Sequence, residues 1–125
     1  MLKVVYFSVT GQTRRFVKKL ESDNTYEIDG IDPEHEINEP FVLVVPSYSD
    51  DAITEPVDEF LSYGDNAKNL KGIVGNGNRN FAELFIITAK RLSKKYHAPI
   101  IYAFEFNGTP RDVSNFKKAV KKIES

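Results

Sequence analysis

Four runs of apolar, largely β-branched or aromatic residues punctuate the chain. They are Leu2 to Phe7, Phe41 to Val45, Ile73-Val74 after the approach Leu70-Lys71-Gly72, and Pro99 to Phe104. The runs are continuous rather than alternating. That suits strands covered on both faces, as in a parallel sheet. Tyr26-Glu27-Ile28 is a shorter fifth candidate. Helical spacing fills the intervals. Phe16, Val17 and Leu20 form one apolar face after Gln12-Thr13. Val57, Phe60 and Leu61 form another, with Thr54 placed as N-cap and Pro56 in the first turn. Phe81, Leu84, Phe85, Thr88, Ala89, Leu92 and Tyr96 keep helical spacing over four turns, with Asn80 as cap and Glu83 three residues on. Val113, Phe116, Val120 and Ile123 follow Thr109-Pro110, and Asp112 lies three residues after that cap.

Strands alternating with helices imply a three-layer α/β domain with a parallel sheet. Five strands joined by right-handed crossovers favour the order 2-1-3-4-5. One interval fits poorly. Residues 30–40, Gly-Ile-Asp-Pro-Glu-His-Glu-Ile-Asn-Glu-Pro, must join the second strand to the third. Their two prolines leave little room for a crossover helix, so an extended or irregular link is expected. No repeat, low-complexity segment or internal boundary is visible, and residues 1–125 read as a single domain.

The chain has no cysteine. This excludes disulfides, CxxC redox chemistry, thiolate nucleophiles and Cys-ligated metals. Redox work, if any, falls to a bound cofactor. No apolar run approaches the roughly 20 residues of a membrane-spanning helix, and the start has no signal-peptide layout, so a cytoplasmic protein is expected. The net charge of −1 hides an asymmetry: residues 21–67 hold fourteen Asp or Glu and no Lys or Arg, while all seventeen basic residues lie elsewhere. Basic residues spread over several helices are not a nucleic-acid footprint. The asymmetry marks either solvated faces or a dipolar molecule that orients on a charged partner.

Open α/β sheets bind ligands beyond the carboxyl ends of their strands, at the switch in strand order. Three loops fall there. In Ser8-Val9-Thr10-Gly11-Gln12-Thr13, hydroxyls and backbone amides converge on a helix N-terminus. That is an anion site for a monophosphate, or a polar turn that simply caps a helix. It lacks the Gly-Lys-Ser/Thr of a Walker loop. Gly75-Asn76-Gly77-Asn78-Arg79-Asn80-Phe81 exposes amides that suit the polar edge of a flat heterocycle, with Phe81 or Tyr48 covering its face. Arg79 either binds a ligand or pairs with an acid. In Pro46-Ser47-Tyr48-Ser49-Asp50-Asp51, Tyr48 flanks a ring or packs on the surface. The Asp50-Asp51 pair lacks a third ligand at metal spacing and reads as a solvated turn. His35 and His97 read as structural or solvated. Ser8, Ser47 and Ser49 have no partners for a hydrolase triad. A phosphorelay receiver would need acidic residues where this chain has Phe7-Ser8 and Val45-Pro46.

The Ser8-x-Thr10-Gly11-x-Thr13 loop resembles the FMN phosphate loop of flavodoxins. Gly75-Asn76-Gly77-Asn78-Arg79-Asn80-Phe81 resembles the Ser-Gly-Asn-Arg-Asn-Phe/Trp-Gly loop of the NrdI family, the flavodoxin-like activating proteins of the class Ib ribonucleotide reductase system. Val44-Val45-Pro46-Ser47-Tyr48, Lys94-Lys95-Tyr96-x-x-Pro99 and Phe104-Glu105-Phe106-x-Gly108-Thr109 are similar as well, so the resemblance spans essentially the whole chain.

The resemblance implies a flavodoxin-like three-layer sandwich that binds FMN. It implies that Ser8, Val9, Thr10, Gly11, Gln12 and Thr13 hold the phosphate. Ser47, Tyr48, Ser49 and Asp50 would flank the ring near its reactive nitrogen. Gly75, Asn76, Gly77, Asn78, Asn80 and Phe81 would form the other wall, with Arg79 in that wall or at a partner interface. The implied role is a redox-active accessory protein rather than a turnover enzyme on its own. Its reduced flavin would convert dioxygen to a superoxide-level oxidant for the dimanganese small subunit of the reductase, where a tyrosyl radical is assembled. A flavin or flavodoxin reductase would be a further partner; nucleic acid and membrane would not. A generic electron-transfer flavodoxin and a flavin-free interaction module of the same fold are the competing readings. Two positions depart from the family's pattern. The second loop has Ser49-Asp50-Asp51-Ala52 where glycines are frequent, and Ala82 stands where a glycine usually follows the aromatic. These bear on potential tuning and oxidant access more than on FMN binding.

Overall fold

A computed structural model describes residues 1–124. The strands are β1 (Lys3–Tyr6), β2 (Thr25–Glu27), β3 (Phe41–Pro46), β4 (Leu70–Gly77) and β5 (Ile100–Glu105). The helices are α1 (Gln12–Lys19), α2 (Glu55–Ser62), α3 (Asn66–Asn69), α4 (Ile87–Tyr96) and α5 (Pro110–Glu124). All pairings are parallel, and the strand order is β2-β1-β3-β4-β5. This is the order expected from the alternation of strands and helices.

The period-2 pleat divides the core into two layers. Val5, Phe41, Leu43, Val45 and Ile73 form one layer with Val57, Phe60 and Leu61 of α2 and Ala89 and Leu92 of α4. Val4, Tyr6, Val42, Val44 and Val74 form the other with Phe16 and Val17 of α1 and Phe116 and Val120 of α5. Phe16 anchors this second layer, stacked on Phe104 with ring centroids 4.0 Å apart and edge-on to Phe116 at 5.4 Å. All six residues of β3 are buried, as a central strand with both faces covered requires. No helix among the described residues is long and apolar enough to cross a membrane.

The link between β2 and β3 contains no helix, in keeping with its two prolines. Asn66 does most to hold it down. Asn66, fully buried at the start of α3, accepts from the Ile37 amide at 2.7 Å. Its amide donates to the carbonyls of His35 at 2.8 Å and Phe60 at 2.7 Å. Asn69 adds a bond to the Ile37 carbonyl at 3.0 Å. Ile37 is thereby seated in the first core layer. The link replaces a crossover helix by borrowing hydrogen bonds from the short helix α3.

Helices α2 and α4 are joined by charge. Arg91 grips Asp58 with two bonds, at 3.2 and 3.0 Å, and Lys95 adds a third at 3.2 Å. Burial alone would raise the Asp58 carboxyl, but the bonds from Arg91 and Lys95 outweigh it and hold the group below its ordinary value. Arg91 also approaches Asp51 at 3.3 Å, which ties the loop after β3 to α4. Thr54 stands at the N-cap of α2, yet its hydroxyl serves the Asp51 carbonyl and Arg91 rather than a cap amide. At α5 the cap forms as the sequence indicates: Thr109 and Asp112 exchange side-chain bonds with each other's amides, at 2.8 and 3.2 Å.

The structure corrects two boundaries. The continuous helix expected over residues 81–96 is two pieces, a 3₁₀ segment Arg79–Leu84 and α4 from Ile87. The cap is Asn78, whose side chain accepts from the Asn80 amide at 2.9 Å, rather than Asn80 itself. Ala82, at φ 49° and ψ −112°, breaks the helical path, and Phe81 and Leu84 emerge on the surface instead of entering the core. Strand β4 is also longer than expected. It pairs with β3 through Asn76 and with β5 through Gly77, so Gly75 and Asn76 belong to the sheet rather than to the loop.

Candidate functional site

The carboxyl ends of β1, β3, β4 and β5 surround a cavity of about 480 Å³. This volume is typical of small-ligand and cofactor clefts, which run from about 300 to 1,000 Å³. Its lining comes from four loops: Thr10, Gln12 and Thr13 after β1, Pro46, Ser47, Tyr48 and Ser49 after β3, Asn76, Gly77, Asn78 and Phe81 from β4 onward, and Phe106 after β5. Leu84 and Ile87 complete an apolar wall.

One end of the cavity is the β1–α1 loop and the N-terminus of α1. Gly11, in the left-handed region at φ 94°, turns the chain into α1. No side chain caps this helix by its N-cap residue, and its first turn carries no acid. Ser8 Oγ accepts from the Arg14 amide at 3.3 Å. Among the described residues, the amides of Gln12 and Thr13 meet no acceptor. Free amides at the positive end of a helix dipole favour a phosphate. The guanidinium of Arg15 lies against Gly11, 3.7 Å from where a β-carbon there would sit. Arg15 was not singled out from the sequence, because one arginine in a basic helix gives no signal.

The floor is organised by Asn76, which is 2% exposed. Its Oδ1 accepts from Thr13 Oγ1 at 3.2 Å, and its Nδ2 donates to the Phe106 carbonyl at 3.2 Å. It thus cross-links the loops after β1 and β5. Ser47 Oγ donates to the Asn76 carbonyl at 2.8 Å. Thr88 of α4 accepts from the Tyr48 amide at 3.0 Å and fixes the second loop. Asp50 accepts from the Ala52 amide at 3.0 Å, closing a tight Asx turn. None of the residues from Ser49 to Ala52 has a positive φ, so this loop without glycine is unstrained.

Not every residue singled out in the sequence reaches the cavity. Ser8 and Val9 border a separate cleft with Phe7, Arg14, Glu27 and Ile53. Gly75 is buried in β4 against Ile86 and Ala89. Asp50 and Asn80 are exposed and off the lining. Arg79 pairs with Glu105, through its amide at 3.1 Å and its guanidinium at 3.2 Å, and lies over the Phe85 ring at 4.6 Å. The acid pair anticipated for Arg79 is thus formed with Glu105. Thr10, Gln12, Thr13, Ser47, Tyr48, Ser49, Asn76, Gly77, Asn78 and Phe81 do converge. Pro46, Leu84, Ile87 and Phe106 join them without having been foreseen as ligands.

Ala82 stores strain in the third loop. A side chain at φ 49° and ψ −112° costs about 1–3 kcal/mol that glycine avoids. Ala82→Gly should therefore stabilise the protein by about 1 kcal/mol net of the added freedom of the unfolded chain. A higher urea midpoint at unchanged slope would show this; an unchanged or lower midpoint would mean that the strain is not present.

A parallel sheet switching order between β1 and β3, free amides at the N-terminus of α1 and an aromatic-walled cleft beside them define a flavodoxin-like protein. The fold matches a solved flavodoxin of Streptococcus pneumoniae with a TM-score of 0.59 at 14% identity, over 98% of this chain and 96% of that one. The family described as NrdI flavodoxin-like matches residues 4–118. Protein NrdI of Bartonella tribocorum is 38% identical over 126 aligned positions, covering 98% of this chain and 95% of its own. The chain belongs to the NrdI family of flavodoxin-like proteins, which bind FMN and activate class Ib ribonucleotide reductase.

Proposed function

We propose that the cavity holds FMN with its phosphate on the amides of Gln12 and Thr13, and its ring between Tyr48 and Phe81. The observation that carries this reading is the pairing of unsatisfied helix N-terminal amides with an apolar cleft at the switch point. When bound and reduced, FMN supplies the electron that takes dioxygen to a superoxide-level oxidant. The protein's own groups do the rest. The α1 dipole and amides hold the dianion without a lysine in the loop. Asn76, Ser47 and Thr88 fix the loops that orient the ring. Phe81, 63% exposed, and Leu84, 43% exposed, border the mouth as apolar surface for a partner to cover. That partner is the dimanganese small subunit of class Ib ribonucleotide reductase, where the oxidant assembles the tyrosyl radical. A flavin or flavodoxin reductase returns the electrons, and the setting is the cytoplasm.

The test begins with FMN. Titration should give a stoichiometric complex, with rapid reoxidation by air after anaerobic reduction. Bound flavin with an air-stable one-electron form would instead indicate a generic electron carrier. No bound flavin would leave an interaction module of the same fold.

A further inference from the structure

Phe106 is an anomaly on three counts. It is 48% exposed despite being a large apolar residue, it lines the cavity, and its φ is 54°, in the left-handed region that disfavours side chains. Its backbone is clamped on both sides. The Phe106 amide donates to the Gly77 carbonyl at 3.1 Å, and its own carbonyl accepts from Asn76 Nδ2 at 3.2 Å. Both clamps come from the end of β4, the strand that also supplies the cavity floor. A strained backbone that two neighbours over-determine is the expected mark of a residue held in place for its side chain. The β5–α5 loop could turn more cheaply with glycine at this position, as it does two residues later at Gly108, where φ is 74°.

We propose that Phe106 contacts the flavin, as an apolar wall over its ring and ribityl portion contributed by the fourth loop. Asn76 is then a positioning residue that aims it. This inference rests on the FMN reading of the cavity. The side chain takes part in neither clamp, so Phe106→Gly removes the ring while relaxing the left-handed backbone. The fold should survive this variant with equal or greater stability.

The experiment compares dissociation constants for FMN and riboflavin, read by flavin fluorescence, in the wild type, Phe106→Gly and Phe106→Leu. Riboflavin lacks the phosphate, so it reports on the ring and ribityl contacts alone. Phe106→Gly should weaken both ligands by the same factor, about tenfold, the scale of a lost aromatic contact. Phe106→Leu should restore most of the loss. Affinities within twofold of wild type for both ligands would overturn the proposal. A loss confined to FMN would also overturn it, by placing the effect at the phosphate. A wild type that binds neither flavin would instead overturn the FMN reading, and this inference with it.

Discussion

Gly77→Ala is expected to damage the molecule more than any other single methyl group added at the site. A β-carbon there would collide with the Phe85 carbonyl oxygen and lie 3.0 Å from Ser47 Oγ. The first contact is with backbone, which cannot rotate aside as a side chain can. Phe85 joins the 3₁₀ turn to α4 and would have to move, and Leu84 and Ile87 of the cavity wall flank that junction. Overpacking of this kind costs about 3 kcal/mol when the neighbour is rigid. The variant should lose that much in urea unfolding, and its FMN affinity should fall at least tenfold, about 1.4 kcal/mol. Gly30→Ala is the control, because its added carbon meets only the Phe7 ring, at 3.7 Å. It should remain within about 0.5 kcal/mol of wild type. Equal behaviour of the two variants would refute the close approach at Gly77.

The second large effect lies far from the cavity. Asn66→Ala should cost about 2–4 kcal/mol, because it strands the buried Ile37 amide and removes the bonds to the His35 and Phe60 carbonyls, although Phe60 keeps the bond from the Tyr63 amide. Hydrophobicity is not at stake; the loss is chiefly that of hydrogen bonds to the His35 and Ile37 backbone, which no helix or strand satisfies. Asn66→Asp should also destabilise, since a carboxylate would still accept from Ile37 but would face the His35 and Phe60 carbonyls without a donor. Chemical denaturation reads both. A loss below about 1 kcal/mol for the alanine variant would show that the link holds itself.

The fold was legible because its signals are local or periodic. Continuous apolar runs at β1, β3 and β5 state that both faces are covered, and the two prolines of residues 30–40 forbid a helix there. What holds that link was not legible, since Asn66 lies 29 residues beyond Ile37 and looks like any asparagine at a helix start. The convergence of Thr10 and Thr13 on the cavity, with Gly11 turning the chain between them, was readable because one short loop builds that end. The remainder was less so. Phe81 reads both as a cover for a ring and as the start of the helical face, whereas Leu84 reads only as helical face; the backbone reversal at Ala82 turns both to the surface. Phe106 reads as the end of a strand, and its place in the cavity depends on a left-handed turn that sequence does not announce.

This chain, loaded with FMN, should activate a class Ib ribonucleotide reductase. The most direct measurement is the tyrosyl radical, quantified by electron paramagnetic resonance, on a manganese-loaded small subunit exposed to dioxygen. Radical should form in high yield with the reduced FMN-bound protein, and almost none should form with dioxygen alone or with free reduced FMN. A yield that does not depend on the protein would contradict that activity.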